Sequence, residues 1–195
     1  YKIVDDVRPN PTMKNIHDGL KVYQENKCDF IISVGGGSPQ DAGKAIGILA
    51  ANGGEIKDYE GVNISKKKSV PIIAINTTAG TASEVTIFYV ITNEEKHIKM
   101  VMVDKNCLAT IAVSDPELMI NKPASLTAAK GMDTLTHAVE AYLSNGAYEL
   151  TNILALEAKK LVGESLEDAV KDGKNIEARS KMAYASYMAG MAFSN

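Results

Sequence analysis

The pattern of apolar and polar positions changes near residue 118. Before that point, strand-like apolar runs alternate with segments in which apolar residues recur at helical spacing. The predicted strands are "YKIVDD", "DFIISV", "SVPIIAI", "TIFYVIT", "IKMVMVD" and "ATIAVS", and the predicted helices are "PTMKNIHDGLKVYQEN" and "PQDAGKAIGILAAN". The run "DFIISV" is typical of a strand buried on both faces. Strands that alternate with helices predict a mostly parallel sheet, covered by helices on both faces.

The segment "NEEKH" separates two strand-like runs and predicts a β-hairpin. After Leu118 the strand pattern disappears, and residues 125–143, 147–172 and 176–194 have helical spacing. On the first of these helices, an arc about 100° wide forms the predicted packing stripe. The stripe consists of Met132, Leu135, Val139, Tyr142 and Leu143. The sequence therefore predicts an α/β domain over residues 1–118 and an all-α domain over residues 119–195.

The composition of the chain indicates which kinds of binding partner are not favoured, but it does not identify a function. The chain has 195 residues, of which 45% are hydrophobic and 23% charged, with a formal net charge of -3. This balance favours neither nucleic acid nor an anionic membrane surface as a partner. Cys28 and Cys107 lack metal-ligand spacing and predict reduced thiols in a cytoplasmic protein. No apolar run reaches membrane-spanning length.

A glycine-rich turn follows the second predicted strand. Gly35-Gly36-Gly37 lets the backbone turn sharply, and Ser38 and Pro39 suit the N-cap and first position of a helix. The positive end of that helix suits a phosphate or pyrophosphate, although the turn is neither GxGxxG nor a P-loop. The alternative is a tight strand-to-helix turn in which Asp41 closes a capping box on Ser38.

A small polar turn, "NTTAGTASE", follows the next predicted core strand. Ligands of open α/β sheets bind in the crevice outside the carboxyl ends of the strands. Thr77, Thr78 and Thr81 would offer hydroxyl groups there. The alternative is that these threonines serve turn formation and helix capping.

The stretch "GMDTLTHAVEAY" places Asp133 four residues before His137 on a predicted helix. Side chains at that spacing have Cβ atoms about 5–6 Å apart, so both can reach one divalent cation. Mixed oxygen and nitrogen ligation suits Fe(II) or Zn(II). Two ligands do not complete a site, however, and an ordinary surface acid–histidine pair has the same spacing. His17 and His97 are predicted surface residues and poor candidates for the missing ligands.

Four segments, "GGGSPQDAGKAIG", "TTAGTASEVT", "KHIKMVMVD" and "GMDTLTHAVEAY", occur in an order that resembles the iron-dependent (group III) alcohol dehydrogenases. The resemblance covers essentially all 195 residues. Within that family the chain most resembles the members that interconvert 1,2-propanediol and lactaldehyde. The resemblance implies an α/β NAD-binding domain followed by an all-helical metal-binding domain, the architecture shared with dehydroquinate synthase.

The resemblance also implies roles for individual residues. The NAD pyrophosphate would be contacted by Gly36, Gly37 and Ser38. The nicotinamide and its ribose would be lined by Thr77, Thr78 and Thr81, with Asp41 near the nicotinamide end. Lys99 would hydrogen-bond a ribose, and Leu118 would flank the adenine. Asp133 and His137 would be the catalytic residues and the first two of four ligands to Fe(II), with Zn(II) as the alternative metal.

The activity that the resemblance implies is reversible hydride transfer between a primary alcohol or 1,2-diol and NAD. The metal would polarise the oxygen of a small alcohol or aldehyde substrate. The full-length protein would be a homo-oligomer, a dimer, in the cytoplasm. Alternatives are another alcohol of the same family (1,3-propanediol, butanol or methanol), a dehydroquinate synthase-like lyase, or a non-catalytic nucleotide-binding fragment.

Three departures from the family pattern set further expectations. A first strand, followed by the acidic residue that selects NAD over NADP, is expected before Tyr1. Two more histidine ligands are expected beyond Asn195, so we expect the isolated chain to be inactive. Position 88 is Phe, where the diol-acting members have a polar residue, and this favours a less polar alcohol.

Overall fold

The computed structural model describes residues 1–194, which fold into two compact units. Unit 1 comprises Tyr1–Ile75 and Ile87–Val113, and unit 2 comprises Asn76–Thr86 and Ser114–Asn195. The turn "NTTAGTASE", residues 76–84, thus belongs entirely to unit 2, which also contains the helices after residue 118. The domain boundary predicted at residue 118 stays a prediction. No helix between residues 1 and 194 is both long and apolar enough to cross a bilayer.

Unit 1 has the alternation of strands and helices that the sequence predicts. Its elements are α1 (Met13–Glu25), β1 (Ile31–Gly35), α2 (Gly37–Asn52), β2 (Gly61–Val62), β3 (Ile72–Asn76), β4 (Phe88–Asn93), β5 (Ile98–Val103) and β6 (Ile111–Ser114). One three-stranded sheet has the order β1-β3-β6, and a second has the order β2-β5-β4. Strands β4 and β5 form the predicted antiparallel hairpin, and β2 runs parallel to β5. The α/β class with a parallel sheet is confirmed.

The core of unit 1 lies between α1, α2 and the β4–β5 hairpin. Its buried side chains include Ile16, Ile48, Tyr89, Ile91 and Met100. Burying one such large apolar side chain contributes about 1.5–3 kcal/mol. Cys107 belongs to this core, and burial raises the pKa of its thiol to about 11. Both cysteines are free thiols, as the sequence predicts, although Cys28 is only half-buried.

Two strand predictions in unit 1 are wrong. The opening "YKIVDD" forms no strand, because no neighbouring strand among residues 1–194 pairs with it, and Tyr1 and Ile3 lie in solvent. Strand β1 is not buried on both faces, since Ile32 and Val34 are 55% and 57% exposed. In unit 1, α2 packs against β1 through the opposite face, where Ser33 is buried.

Unit 2 contains the three helices that the sequence predicts after residue 118. They are α3 (Ala124–Leu143), α4 (Glu149–Lys171) and α5 (Ile176–Ser194). Two short 3-10 helices, Ser83–Val85 and Pro116–Met119, also pack on α5. The final residue of the predicted all-α domain, Asn195, lies outside the described residues.

The packing stripe predicted on α3 is right only at Leu135, which packs against the core of unit 2. The other four predicted residues are exposed, and small residues face the neighbouring helices instead. The buried positions include Gly131, Thr134, Ala138 and Ala141, whereas the predicted Met132 is 52% exposed. A Cβ added at Gly131 would lie 2.2 Å from a methyl carbon of Leu166, so a larger residue there would require the Leu166 side chain on α4 to move. Further along, Ala138 packs with Ala158 and Ala189. This close packing fixes α3 against two helices.

A buried arginine ties α5 to the segments that flank it. Arg179 is 4% exposed, and its guanidinium donates to the Thr127 hydroxyl at 2.7 Å and to the Gly173 carbonyl at 3.0 Å. A weaker bond reaches the Lys122 carbonyl at 3.4 Å. Burial lowers the pKa of Arg179, since removal from water disfavours the cation. The three acceptors therefore compensate for part of the lost hydration.

Replacing Arg179 with Met should destabilise the fold, because Thr127 and two carbonyls lose their donor. We expect the free energy of unfolding to fall by about 2–4 kcal/mol. Urea denaturation of the purified protein measures this change. The matched control is Lys181→Met on the same helix, where the exposed pair with Glu177 at 3.1 Å is worth at most about 0.5 kcal/mol. Equal stability of the two variants would contradict the structural role of Arg179.

Candidate functional site

The acid and the histidine predicted on α3 face each other in the structure. His137 Nε2 lies 3.8 Å from Asp133 Oδ1. The side chains are 24% and 33% exposed, respectively, so an ion from solvent can reach both. An α-helix brings residues four apart onto one face, which is why the spacing in the sequence becomes a pair of converging donor atoms.

The ring of His137 is oriented from its other nitrogen. Nδ1 lies 3.2 Å from the carbonyl oxygen of Gly80, which is 57 residues earlier in the chain. A carbonyl can only accept, so in this bond Nδ1 is the donor, and Nε2 is the ring nitrogen directed toward Asp133. Metal-bound histidines are commonly fixed in this way by a carbonyl behind the ring. The ring also packs at a tilt against Phe193, with centroids 4.7 Å apart.

Gly80 lies where the chain leaves no room for a side chain. A Cβ at this position would be 2.6 Å from Lys130 Cδ, 3.0 Å from Lys130 Cβ and 3.2 Å from the Lys130 carbonyl oxygen. The lysine stem therefore passes directly over Gly80. Its ammonium then reaches Asp133 Oδ2 at 3.0 Å. The Gly80 carbonyl thus contacts His137, and Lys130 of α3 contacts Asp133.

The donor atoms of Asp133 and His137 fit a divalent metal ion. Fe(II) and Zn(II) take oxygen and nitrogen ligands at about 2.1 Å, and twice that distance exceeds the observed 3.8 Å separation. One ion can therefore contact both atoms. Residues 1–194 contain no group of three or more His, Cys, Asp and Glu side chains able to hold a metal. Among the described residues, this pair therefore offers two candidate donor atoms.

The other two histidines lie in unit 1 and are surface residues, as the sequence predicts. His17 Nε2 lies 3.1 Å from Glu55 Oε2, and the His17 side chain is 38% exposed. His97 is exposed in the hairpin turn.

The glycine-rich turn differs in detail from the sequence prediction. Helix α2 begins at Gly37 with Gly36 as its N-cap, so Ser38 is not the cap and Pro39 is the third helical residue. No side chain among the described residues caps this helix. The Ser38 hydroxyl instead accepts the backbone N–H of Asn10 at 3.2 Å. An uncapped N-terminus leaves backbone N–H groups directed outward, which is the arrangement that binds phosphate.

The capping box between Asp41 and Ser38 is also absent. Asp41 Oδ2 accepts the backbone N–H of Val90 on β4 at 3.0 Å. The side chain that holds the glycine turn is Gln40, which is 2% exposed. Its amide nitrogen lies 3.1–3.3 Å from the carbonyl oxygens of Ser33, Gly35 and Ile75. Sequence reasoning missed Gln40, because a glutamine in a helix carries no pattern of its own.

A single asparagine organises the polar turn after β3. Asn76 is 2% exposed, and its side chain bonds the backbone N–H of Thr78 at 3.1 Å, the Thr78 carbonyl at 2.7 Å and the Glu84 carboxylate at 2.8 Å. Asn76 was missed as well, although an asparagine that bonds the backbone two residues on is a known turn pattern. Thr77 and Thr78 are half-buried, and the Thr81 hydroxyl accepts the N–H of Ser83 at 3.4 Å.

The structure divides the predicted cofactor-binding residues between the two units. Gly36, Gly37, Ser38, Asp41 and Lys99 lie in unit 1, and Thr77, Thr78, Thr81 and Leu118 lie in unit 2 with Asp133 and His137. Lys99 is exposed on β5, where it pairs with Thr92 of β4. Leu118 is 43% exposed in the 3-10 helix Pro116–Met119. The roles of these residues as cofactor ligands stay predictions.

Comparison with protein families gives two matches that together cover most of the chain. Residues 1–116 match "Iron-containing alcohol dehydrogenase", and residues 127–195 match "Fe-containing alcohol dehydrogenase family, C-terminal". The family resemblance that the four sequence segments predicted is confirmed.

Curated relatives cover this chain almost completely. Alcohol dehydrogenase 4 of Saccharomyces cerevisiae is 53% identical over 99% of this chain and 50% of its own length. NAD-dependent methanol dehydrogenase of Bacillus methanolicus is 50% identical over 99% of this chain and 51% of its own length. Lactaldehyde reductase of Escherichia coli is 46% identical over 100% of this chain and 51% of its own length. The chain therefore spans about half the length of these relatives, and their identities do not single out one substrate.

Solved structures of related proteins confirm the fold. A 1,3-propanediol oxidoreductase superimposes with a TM-score of 0.96 at 51% identity, over 98% of this chain and 50% of that chain. A sulfoacetaldehyde reductase from Bifidobacterium kashiwanohense, solved in complex with NAD+, superimposes with a TM-score of 0.93 at 38% identity. That match covers 100% of this chain and 52% of the reductase.

Replacing Gly80 with Ala should weaken metal binding, because the new methyl group would push the Gly80 segment away from α3 and displace the carbonyl that orients His137. Loss of such a supporting contact typically costs about 10–100-fold in metal affinity. Competition with a chromophoric chelator for Zn(II) measures the change in the purified protein.

The control for this substitution is Gly163→Ala in the exposed middle of α4, where an added Cβ meets nothing within 4 Å. That variant should bind Zn(II) as the unmodified protein does, and its unfolding free energy should rise by about 0.5–1 kcal/mol. Unchanged Zn(II) affinity in Gly80→Ala would show that the carbonyl contact does not orient the ligand.

Proposed function

This chain belongs to the iron-containing alcohol dehydrogenase family, and we propose that the protein containing it transfers hydride reversibly between a primary alcohol or 1,2-diol and NAD. Membership of an oxidoreductase family supports the reaction class. Because the chain spans about half of its relatives, the activity is proposed for the whole protein.

The observation that carries this proposal is the arrangement around His137. Its Nδ1 faces the Gly80 carbonyl at 3.2 Å, and its Nε2 faces Asp133 Oδ1 at 3.8 Å. An ordinary surface acid–histidine pair needs no carbonyl behind the ring. With Nδ1 engaged by the carbonyl, Nε2 is the nitrogen that faces the carboxylate and can ligate a metal.

A divalent metal, when bound, supplies Lewis-acid polarisation of the substrate oxygen, and NAD supplies the hydride acceptor. In this proposal Asp133 and His137 hold the metal, with Fe(II) favoured by the family description and Zn(II) as the alternative. Backbone N–H groups of Gly37 and Ser38 bind the pyrophosphate at the uncapped end of α2. Gln40 keeps the glycine turn rigid for that contact by bonding three carbonyls.

The remaining proposed contacts follow the family resemblance. Thr77, Thr78 and Thr81 bind the nicotinamide and ribose, and the bonds from Asn76 hold that turn in a single shape. Lys99 and Leu118 contact a ribose and the adenine. Support for NAD comes from a related reductase that was solved with NAD+ and from a relative described as NAD-dependent.

Removing the metal should abolish alcohol-dependent NAD reduction by the full-length protein. Dialysis against a chelator should lower kcat/KM by at least about 100-fold, and Fe(II) or Zn(II) should restore it. Absorbance of reduced nicotinamide provides the measurement, and the isolated 195-residue chain should show no activity because it supplies two metal donors. Full activity after verified metal removal would exclude the proposed mechanism.

The substrate is proposed to be a primary alcohol less polar than 1,2-propanediol, because Phe88 replaces the polar residue expected at that position. We expect kcat/KM for 1-butanol to exceed that for 1,2-propanediol by roughly tenfold. Phe88→Asn should move the ratio toward the diol. The control, Phe30→Asn, changes a phenylalanine that is 48% exposed and should leave the ratio unaltered. A strong preference of the unmodified protein for the diol would refute the role of Phe88.

A further inference from the structure

Lys130 contacts the acid–histidine pair without being a ligand itself. It lies one helical turn before Asp133 on α3, and its Nζ is 3.0 Å from Asp133 Oδ2. Its stem crosses Gly80, the residue whose carbonyl orients His137. Lys130 therefore contacts the donor Asp133 directly and also packs on Gly80, whose carbonyl orients the donor His137.

The ion pair gives the two oxygens of the Asp133 carboxylate different partners. Oδ2 faces the Lys130 ammonium at 3.0 Å, and Oδ1 faces His137 Nε2 at 3.8 Å. A metal held by both side chains would therefore meet a carboxylate with one oxygen already engaged. This arrangement favours ligation through Oδ1 alone.

The surroundings of Lys130 keep its ammonium on the Asp133 side. The lysine also lines a small cavity of unit 2, together with Lys122 and Arg179. Turning the ammonium toward those two cationic residues would bring like charges closer together. The pair with Asp133 is thus the favoured position of the charge.

We infer that Lys130 is a positioning residue that restricts Asp133 to one-oxygen ligation and lowers the affinity of the site for divalent metal ions. The inference rests on the proposed function, since it requires the metal to bind Asp133 and His137. In the proposed dehydrogenase, Lys130 would thus affect how tightly the metal is retained.

Two opposing effects decide the direction of the change in affinity. Lys130 orders the carboxylate, which favours binding, but partly exposed ion pairs of this kind order their groups with little net gain. Its charge also repels the incoming ion, and this repulsion doubles for a divalent cation relative to a monovalent one. Both side chains are 33% exposed, so solvent weakens the repulsion without removing it. The repulsion is therefore the larger effect.

The test compares two neutral substitutions with one that keeps the charge, in the full-length protein. Zn(II), and Fe(II) under anaerobic conditions, are titrated in competition with a chromophoric chelator. Lys130→Met and Lys130→Gln should each bind the metal roughly tenfold more tightly, which corresponds to about 1.4 kcal/mol, and should release it more slowly. Lys130→Arg should bind no more tightly than the unmodified protein, because the charge remains.

A purely structural role for Lys130 predicts the opposite sign, since loosening Asp133 and the Gly80 turn would weaken binding in both neutral variants. Unchanged or weaker binding in Lys130→Gln, measured on protein whose metal-free thermal midpoint matches that of the unmodified protein, overturns the inference. Failure of the unmodified protein to bind Zn(II) or Fe(II), or binding that is insensitive to His137→Ala, overturns the proposed function instead.

Discussion

The hydrogen bond between His137 Nδ1 and the Gly80 carbonyl is the contact on which the candidate site depends. It joins a turn to a helix across 57 residues of sequence and leaves Nε2 available toward Asp133. The bond requires the turn to approach α3 closely, and only a residue without a Cβ fits beneath the Lys130 stem. The position of the Gly80 backbone thereby determines which ring nitrogen of His137 faces Asp133.

The packing of α3 supplies the rigidity that this contact needs. Gly131, Ala138 and Ala141 let α3 lie close to the neighbouring helices, so the positions of Asp133 and His137 are fixed by backbone proximity. Close packing of this kind leaves little room for the helices to shift. Apart from Leu135, which packs inward, the large apolar residues of the predicted stripe are exposed as a consequence, and Met132 and Leu143 are 52% and 72% exposed.

Helical periodicity predicted all three long helices of unit 2, and the residue types and spacing predicted the acid–histidine pair, because both depend on local sequence. What the sequence could not indicate depends on contacts between distant segments. Asp41 accepts the backbone N–H of Val90, 49 residues away, and does not form a capping box with Ser38. Local capping rules therefore predicted the wrong N-cap residue for α2. Gln40 and Asn76 act through buried carbonyls and amides that no pattern of side chains reveals. Four of the five stripe residues predicted on α3 are exposed, because the prediction relied on large apolar residues whereas close helix packing selects small ones.

The central claim is that Asp133 and His137 bind one metal ion, with the imidazole ligating through Nε2 while Nδ1 bonds Gly80. A crystal structure of the metal-loaded full-length protein, with anomalous scattering from the metal, tests it most directly. The account predicts a single metal peak about 2.0–2.2 Å from Nε2 of His137 and from a carboxylate oxygen of Asp133. A metal bound elsewhere, or bound through Nδ1 with the Gly80 contact broken, would contradict it.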